Sequence, residues 1–291
     1  MLTFNSMYAI RTLFERGPLR THTTLPERLR AAYDGHLRFH SASRGRPYVI
    51  ANFVSTMDGI VTFNMPGQLE GKQISGSNEG DRFIMGLLRA SADAVIVAAG
   101  TFQASGPKAL WTPEAVHPPA ANLYRQYRKN VLKKPAYPLV VIVSGTADLN
   151  LASATFHKPE LPVVIITTER GKRRLAKSGV EALAHVRVKQ FSGATQRIAP
   201  ALILKFLTEE YRVRLLLHEG GPTFFGEFLA GKFVDELFLT LAPQIAGSVP
   251  ARPRPNLAFG IEFSPATAPW WNLVSAKQAG SYLYLRFQRK K

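Results

Sequence analysis

The sequence predicts an α/β fold with a mainly parallel central sheet and antiparallel strands at one edge. Continuous apolar runs recur along the chain, and such runs are typical of parallel strands that helices cover on both faces. Amphipathic helical patterns lie between these runs, which is the alternation that builds a parallel sheet. Near the C terminus, Glu236 to Ile245 and Ser281 to Gln288 have strand patterns with no helix pattern between them. We expect these two strands to pair antiparallel.

The other elements are predicted in order after Pro47. The predicted strands are Tyr48 to Val54, Ala94 to Ala99, Leu139 to Val143, Val163 to Thr167, His185 to Phe191 and Val213 to Leu217. The predicted helices are Asn78 to Ser91, Ala120 to Leu132, Gly171 to Ser178, and Gln196 to Tyr211 with Thr195 as its cap. The first of these helices carries one apolar face, formed by Phe83, Ile84, Leu87 and Leu88, with Asp81, Arg82 and Arg89 elsewhere.

Residues 1–46 have a different composition from the rest. They are basic and rich in turn residues, and we interpret them as an irregular extension that wraps on the main domain. A short helix is predicted within them, at Glu27 to Tyr33. The predicted domain organisation is therefore an extension at 1–46 and one domain at 47–291.

Composition narrows the function classes. The chain has 291 residues, 46% of them hydrophobic, which is ample for a full core. It has no cysteine, which excludes disulfides and thiolate metal sites and permits a reducing cytoplasmic location. We find no membrane-spanning stretch and no signal-peptide pattern at the start, and we predict a cytoplasmic protein without a metal.

The formal net charge is +17, from 37 Lys and Arg against 20 Asp and Glu. Such a surplus attracts nucleic acid, phosphorylated metabolites or phosphate-bearing cofactors, and it is equally compatible with an ordinary solvated surface. The densest basic clusters have no interleaved aromatic residues that could stack on bases. Nucleic-acid binding is therefore the weaker hypothesis.

The stretch Leu215 to Leu229, LLLHEGGPTFFGEFL, predicts a strand, a tight turn and a helix. Pro222 suits the first helical turn, and Gly220 with Gly221 lets the backbone turn sharply and approach a ligand. The N–H groups of the first turn would form an anion site that fits a phosphate or pyrophosphate. Glu219 would then point into the crevice at the strand end. Taken alone, the two glycines favour an ordinary strand-to-helix turn over a ligand site.

Two further strands end in residues that suit a ligand site. Ala98 to Thr101 closes a buried strand with small residues and a hydroxyl, and Asn52 to Gly59 runs from a strand into Asp58 before a turn. Asp58 with Gly59 is also a common hairpin turn. Because the carboxyl ends of parallel strands meet at one edge of a sheet, we predict that the three segments share one pocket.

Together these segments resemble the pyrimidine reductases of riboflavin biosynthesis, a branch of the dihydrofolate-reductase-like superfamily. The resemblance extends over residues 47 to 288. The motifs that carry it are ANFVSTMDG at 51–59, ISG at 74–76, LLRASADAVIVAAGT at 87–101, and HEGGPTFFGEFLAGKFVDELFLTLAPQIAG at 218–247.

The resemblance implies a three-layer dihydrofolate-reductase-like fold, NADPH as cofactor, and reduction of a ribosylamino-pyrimidine phosphate to its ribitylamino form. It also implies a homodimer formed through the long edge strands. Arg89, Glu219 and Lys108 are the implied substrate-binding residues, and Asp58 and Glu219 are the implied catalytic ones. The implied cofactor-binding residues are Val54, Thr101, Ser144, Gly220, Gly221, Pro222, Thr223, Phe224, Phe225 and Gly226.

The chain departs from the family pattern after Thr101. Ser105 stands at a position that is commonly acidic, and Thr112 stands where the family commonly has an arginine. Lys108 is a candidate replacement for the lost positive charge. A reductase of the same fold that acts on another pterin, pyrimidine or carbonyl substrate therefore stays open, as does a non-catalytic nucleotide-binding protein.

Overall fold

The computed structural model describes residues 8–17, 25–42, 45–65, 70–191 and 197–290. Within these residues, ten strands form one sheet. In chain order they are β1 (Arg11–Glu15), β2 (Tyr48–Ser55), β3 (Ala94–Ala98), β4 (Leu139–Val143), β5 (Val163–Thr167), β6 (Val186–Gln190), β7 (Leu215–His218), β8 (Glu236–Leu241), β9 (Trp271–Ala279) and β10 (Tyr282–Arg289). The α-helices of the described part are α1 (Glu27–Tyr33), α2 (Glu70–Ser75), α3 (Glu79–Ser91), α4 (Ala99–Ala104), α5 (Pro113–Val116), α6 (Ala121–Gln126), α7 (Glu169–Ala176), α8 (Pro200–Tyr211) and α9 (Pro222–Ala230).

The strand order in the sheet is β1-β9-β10-β8-β2-β7-β3-β4-β5-β6. Neighbouring strands from β8 to β6 are parallel, whereas β8, β10, β9 and β1 pair antiparallel. The pairing of β8 with β10 is the antiparallel pair that the C-terminal strand patterns predict. The α/β fold class, with its mainly parallel sheet and antiparallel edge, is confirmed.

One hydrophobic cluster lies on each face of the sheet, with helices packed outside it. Strands β4 and β5 are buried along their whole length, and all but the last residue of β3 is buried. This burial explains why their sequences are continuous apolar runs, since both faces of each strand contact core side chains. Alternate residues of one strand therefore belong to the two opposite clusters.

Several element boundaries differ from the prediction. The strand predicted to reach Ile245 ends at Leu241. Strand β9 was not predicted, because polar residues, Lys277 among them, leave its sequence without a continuous apolar run. The helix predicted from Gln196 begins at Pro200, and its predicted cap Thr195 lies outside the described residues. The helix predicted at 120–132 is α6 followed by a π-helical stretch at Tyr127–Val131.

The N-terminal segment contributes to the sheet. β1 pairs antiparallel with β9, so the prediction that residues 1–46 are irregular is wrong for Arg11–Glu15. The short helix predicted at Glu27 to Tyr33 is confirmed as α1. Lys277 of β9 is buried below this segment, where its Nζ donates to Thr12 Oγ1 at 2.7 Å and to the Asp34 carbonyl at 2.9 Å. Residues 1–7, 18–24 and 43–44 lie outside the described residues.

Within the described ranges, none of the helices combines the length and the apolar character that crossing a membrane requires.

Candidate active site

A cavity of about 910 Å³ opens at the carboxyl ends of the central parallel strands. Residues at the ends of β2, β3, β4 and β7 line it, together with the first turn of α9 and one side of α3. The volume is in the range of pockets that hold a cofactor or a small molecule. Val54, Thr101 and Glu219 all face this cavity, so the predicted meeting of the three strand ends in one pocket is confirmed.

Gly220 and Gly221 connect β7 to α9. A side chain has no space at Gly220 and would be a tight fit at Gly221. A Cβ at Gly220 would lie 2.5 Å from Phe224 Cδ1, and a Cβ at Gly221 would lie 3.1 Å from Thr101 Oγ1. The first contact is too close for any real Cβ, and the second requires Thr101 to move. The glycines therefore allow the strand-to-helix turn to pack closely and bring its bare backbone next to Thr101 on the cavity wall.

The first turn of α9 presents unsatisfied backbone donors. Gly221 is the N-cap residue and its helix start has no side-chain cap, while Pro222 has no N–H. The N–H groups of Thr223 and Phe224 lie in the first turn, where helix geometry provides no intrahelical acceptor. Both residues line the cavity. This arrangement, at the positive end of the helix dipole, suits a phosphate group.

Two residues predicted to bind the cofactor face away from the cavity. The N–H of Phe225 donates to the Gly221 carbonyl at 2.9 Å, and its ring is fully buried in the core against Phe53. Gly226 is buried as well, and a Cβ there would lie 3.1 Å from the Phe259 carbonyl. Phe225 and Gly226 therefore have packing roles, and the phosphate donors available at this turn are those of Thr223 and Phe224.

His218 supports the turn from below. It is fully buried, and its Nδ1 accepts from the Gly220 N–H at 3.3 Å. The rings of Phe224 and Phe228 pack against it with centroid distances of 5.0 and 4.8 Å. Burial lowers the pKa of His218 to about 3, so the imidazole is neutral near pH 7.

Arg89 and Glu219 form a buried ion pair that lines the cavity. Arg89 Nη2 donates to Glu219 Oε2 at 2.6 Å and Arg89 Nε donates to Oε1 at 2.9 Å. Both side chains are only 8% exposed. The remaining Arg89 nitrogen, Nη1, donates to the Leu110 and Thr112 carbonyls. Two parallel bonds of this kind fix both side chains in a single geometry.

Asp58 and Ser144 do not line the cavity. The Asp58 carboxylate accepts from the Thr56 hydroxyl and from the N–H groups of Ala246 and Gly247, which joins the β2 turn to the loop after β8. These bonds, the Thr56 bond foremost, lower the pKa of Asp58. The Ser144 carbonyl accepts from Thr167 Oγ1, and the cavity at that strand end is lined by its neighbours Val143 and Gly145. The geometry gives Asp58 the role of holding a loop.

The segment after Thr101 shows what the sequence departures do. Ser105 lines the cavity, and its hydroxyl donates to the Thr101 carbonyl at 2.8 Å. Thr112 is buried outside the cavity, where it caps α5 through the Ala115 N–H. Lys108 is exposed and lines the cavity, as its predicted substrate role requires. Three further cationic residues also line the cavity, namely Lys72, Arg82 and Arg197.

Asp81 is a cavity residue that the sequence analysis placed off the buried face of its helix. It is 3% exposed and lines the cavity from the first turn of α3. The helical spacing could have predicted its burial, because Asp81, Ile84 and Leu88 stand at i, i+3 and i+7 and share one helix face. A carboxylate at a buried position of that spacing indicates either a buried partner or a functional role.

Comparison with known proteins identifies the family of the chain. Residues 47–275 match the family model described as the RibD C-terminal domain. The chain is 27% identical over 218 residues to a 2,5-diamino-6-ribosylamino-4(3H)-pyrimidinone 5′-phosphate reductase of Archaeoglobus fulgidus, which covers 75% of this chain and 89% of that protein. An Aquifex aeolicus reductase of the same name is 27% identical over 207 residues, covering 69% of this chain and 79% of that protein.

Among solved structures, a pyrimidine reductase-like protein of Corynebacterium diphtheriae has the same fold. Its TM-score is 0.64 at 21% identity, and the match covers 84% of this chain and 92% of that one. This likeness shows that the two chains share their α/β fold. Because the family model spans most of its length, this chain belongs to the family of the RibD C-terminal domain, the riboflavin pyrimidine reductases that its motifs resemble.

Proposed function

We propose that the protein is an NADPH-dependent oxidoreductase of riboflavin biosynthesis. The substrate is a ribosylamino-pyrimidine 5′-phosphate, whose ring-opened ribosyl imine is reduced to a ribitylamine. The named activity of the relatives supports this substrate class. The observation that carries the proposal is the single cavity in which the bare Gly220–Gly221 turn and the Arg89–Glu219 pair lie together.

The residues at the end of β7 fit a dinucleotide. A side chain at Gly221 would press against Thr101. Gly100 lines the same side of the cavity, and the space beside it, where a side chain would lie, is open. Thr223 and Phe224 would hold the pyrophosphate through their backbone N–H groups, and the Thr101 hydroxyl would add a donor. Val54 would line the ring end of the cleft. The bound nicotinamide supplies a hydride, and the protein supplies orientation and charge.

The opposite side of the cavity fits the phosphorylated substrate. Arg89 and Glu219 are held rigidly, so the polar edge they present to a pyrimidine has a fixed position. Lys108 is exposed at the rim, and no ion pair to it is formed by the residues that the structure describes, which leaves its charge available to a phosphate. Lys72, Arg82 and Arg197 add to a positive rim. The balance of the reduction requires one proton in addition to the hydride.

The direct test is NADPH oxidation with the ribosylamino-pyrimidine phosphate. We expect turnover, with release of the ribitylamino product. Tight binding of NADPH without any turnover of this substrate would contradict the substrate assignment and leave the cofactor assignment standing.

A second candidate is a reductase that uses the same cofactor with a different substrate. Ser105 and the buried Thr112 favour it, because neither presents the charge that the family pattern has at these positions. A screen of pterins, folates and small carbonyl compounds for NADPH consumption separates the two. A non-catalytic nucleotide-binding protein is the third candidate, and it would bind NADPH and consume none with any of these compounds.

A cytoplasmic homodimer is also proposed for this protein. The sequence analysis assumed a dimer through free edges of β8 and β10, but β8 pairs with β10 and β2, and β10 pairs with β8 and β9, so neither strand has a free edge. The free edge on this side of the sheet belongs to β1, which pairs with β9. The outer strand β1 exposes Leu13 and Phe14, at 54% and 46%, next to that edge. A dimeric mass in light scattering at micromolar concentration is expected, and a monomeric mass contradicts the proposal.

A further inference from the structure

Asp81 occupies a buried position on the cavity wall. Its N–H donates to Asn78 Oδ1 at 2.9 Å in the capped first turn of α3. The Thr240 hydroxyl of β8 is close enough to its carboxyl group to lower the pKa of Asp81. Thr240 stands opposite Val54 in the β2–β8 ladder, and Val54 also lines the cavity. Asp81 therefore lies at the β2 end of the cavity, where its position is fixed by both a helix and a strand.

The cavity is lined by three carboxylates, and they differ in their partners. Glu219 accepts two guanidinium bonds from Arg89, and Glu227 lies 3.5 Å from Arg197 Nη1. Asp81 has no ion pair within the part of the chain that the structure describes, although it is the most deeply buried of the three. A carboxyl group that is buried without a paired cation holds its proton more tightly than one in an ion pair.

The pKa of Asp81 reflects these surroundings. Burial raises it to about 6, and the charge of Glu219 raises it as well, while the Thr240 hydroxyl and Arg82 act in the opposite direction. A proton donor whose pKa lies near the working pH is protonated in a substantial fraction of molecules and can still release its proton. On its own helix, Glu79 and Arg82 lie in the same first turn, and Arg82 interacts with it electrostatically. From other elements, Glu219 after β7 and Tyr284 of β10 interact with it electrostatically, and Lys72 and Arg89 line the same cavity.

We propose that Asp81 is the proton donor of the reduction, an inference that rests on the proposed function. The imine carbon of the ring-opened substrate accepts the hydride from NADPH, which is oxidised to NADP⁺. The electron pair of the C=N π bond moves to the nitrogen, which takes the proton from the Asp81 carboxyl group. The product is the secondary amine, and Asp81 is left as a carboxylate that water in the open cavity reprotonates.

The test measures the rate of hydride transfer in a single turnover, followed by NADPH absorbance across pH. Asp81→Asn keeps a hydrogen-bonding group opposite Thr240 and removes the acidic proton. We expect the rate to fall by about 100-fold or more, with NADPH affinity retained, because general acid catalysis contributes at least that factor. Glu210→Gln is the control, since it removes a carboxylate from the exposed side of α8 outside the cavity, and it keeps the wild-type rate.

A second variant distinguishes proton donation from a structural role. Thr240→Val removes the hydroxyl that lowers the pKa of Asp81, so that pKa rises. The protonated form then persists to higher pH, and the pH at which the rate declines moves upward. This shift also decides the matter if Asp81→Asn does not fold.

The outcomes separate the two levels of the proposal. If wild-type protein does not turn over the ribosylamino-pyrimidine phosphate, the proposed function fails and the proton-donor role fails with it. If wild-type protein turns over, but Asp81→Asn keeps its rate or Thr240→Val leaves the pH profile unmoved, the role of Asp81 alone is overturned.

Discussion

Arg89 and Glu219 hold each other in place, so a change at one of them affects both binding and stability. Arg89→Ala leaves the Glu219 carboxylate buried without its partner, and the loss of such a partner costs about 3 to 5 kcal/mol. We expect urea unfolding to show a loss of that size. We also expect the KM for the phosphorylated substrate to rise more than that for NADPH.

The matched control for this prediction is Arg173→Ala on α7. Its partner Glu169 stands at i−4 and both side chains are about two-thirds exposed, so that ion pair contributes under about 1 kcal/mol. Equal losses of stability in the two variants, or equal increases of the two KM values in Arg89→Ala, contradict the assigned role of Arg89.

His218 gives the protein a component of acid sensitivity. Its folded pKa of about 3 lies below the ordinary value of 6.5, so the unfolded chain binds more protons between these values. Its stabilising contribution is therefore fully present above about pH 6.5 and is lost as pH falls towards 3.

The variant His218→Phe tests this dependence of stability on pH, because it replaces the titratable ring by an apolar one among the surrounding phenylalanines. We expect its unfolding free energy to depend less on pH than that of the wild type between about pH 6.5 and 3. His157→Phe, at an exposed site, serves as the control and keeps the wild-type dependence. A His218→Phe curve that runs parallel to the wild-type curve contradicts the neutral buried histidine.

At the scale of elements, the π-helical stretch after α6 positions Arg128 to cap α3. Arg128 Nη1 donates to the Ala90 and Ala92 carbonyls at 3.0 and 2.7 Å, and Nε donates to the Pro135 carbonyl at 2.9 Å. The side chain is 1% exposed, so these carbonyl groups have no access to water when it is removed. Because Arg89 lies in the same last turn of α3, and its own carbonyl accepts from Arg128 Nη1 at 3.3 Å, this cap also helps to position the proposed substrate side of the cavity.

We expect Arg128→Ala to lower the unfolding free energy by about 3 kcal/mol or more, because a buried polar group without its partner costs about 1 to 3 kcal/mol. Chemical denaturation measures this. Arg125→Ala, on the exposed side of the same helix, is the control and is expected to change stability by under about 0.5 kcal/mol. A similar small effect at Arg128 contradicts the cap.

The turn between β7 and α9 is the element on which the proposed binding of NADPH depends. Gly221→Val places side-chain atoms against Thr101 Oγ1 and into the space above the helix start. We expect the dissociation constant for NADPH, measured by fluorescence titration, to rise by about tenfold or more, since losing one charge-assisted hydrogen bond costs about 1.5 kcal/mol.

Ala230→Val adds similar bulk at the exposed far end of α9 and leaves NADPH affinity unchanged. Unchanged affinity in Gly221→Val as well would place the phosphates elsewhere.

At the scale of the whole molecule, the central sheet could be predicted from the sequence because its strands are buried on both faces. Val95, Val141 and Ile165 lie among apolar neighbours whatever the details of the loops, so their runs identify strands directly. The same holds for the strand ends that meet at the cavity, since parallel strands bring their carboxyl ends to one edge.

The parts that could not be predicted depend on contacts between distant segments. Lys277 is 1% exposed because β1 and Asp34, more than 240 residues away, supply its partners. A buried lysine hides the strand pattern of β9 from any local analysis. Asp81 and Phe225 were misplaced for a related reason: the side of an element that faces a cavity depends on what packs against its other sides.

The central claim is that the phosphates of NADPH bind the exposed backbone N–H groups at the start of α9. A crystal structure of the protein grown with NADPH tests it most directly. The account predicts phosphate oxygens about 2.9 Å from the N–H groups of Thr223 and Phe224, beside Gly221 and Thr101. NADPH bound with its phosphates elsewhere, or a helix start filled by the protein's own side chains, would contradict it.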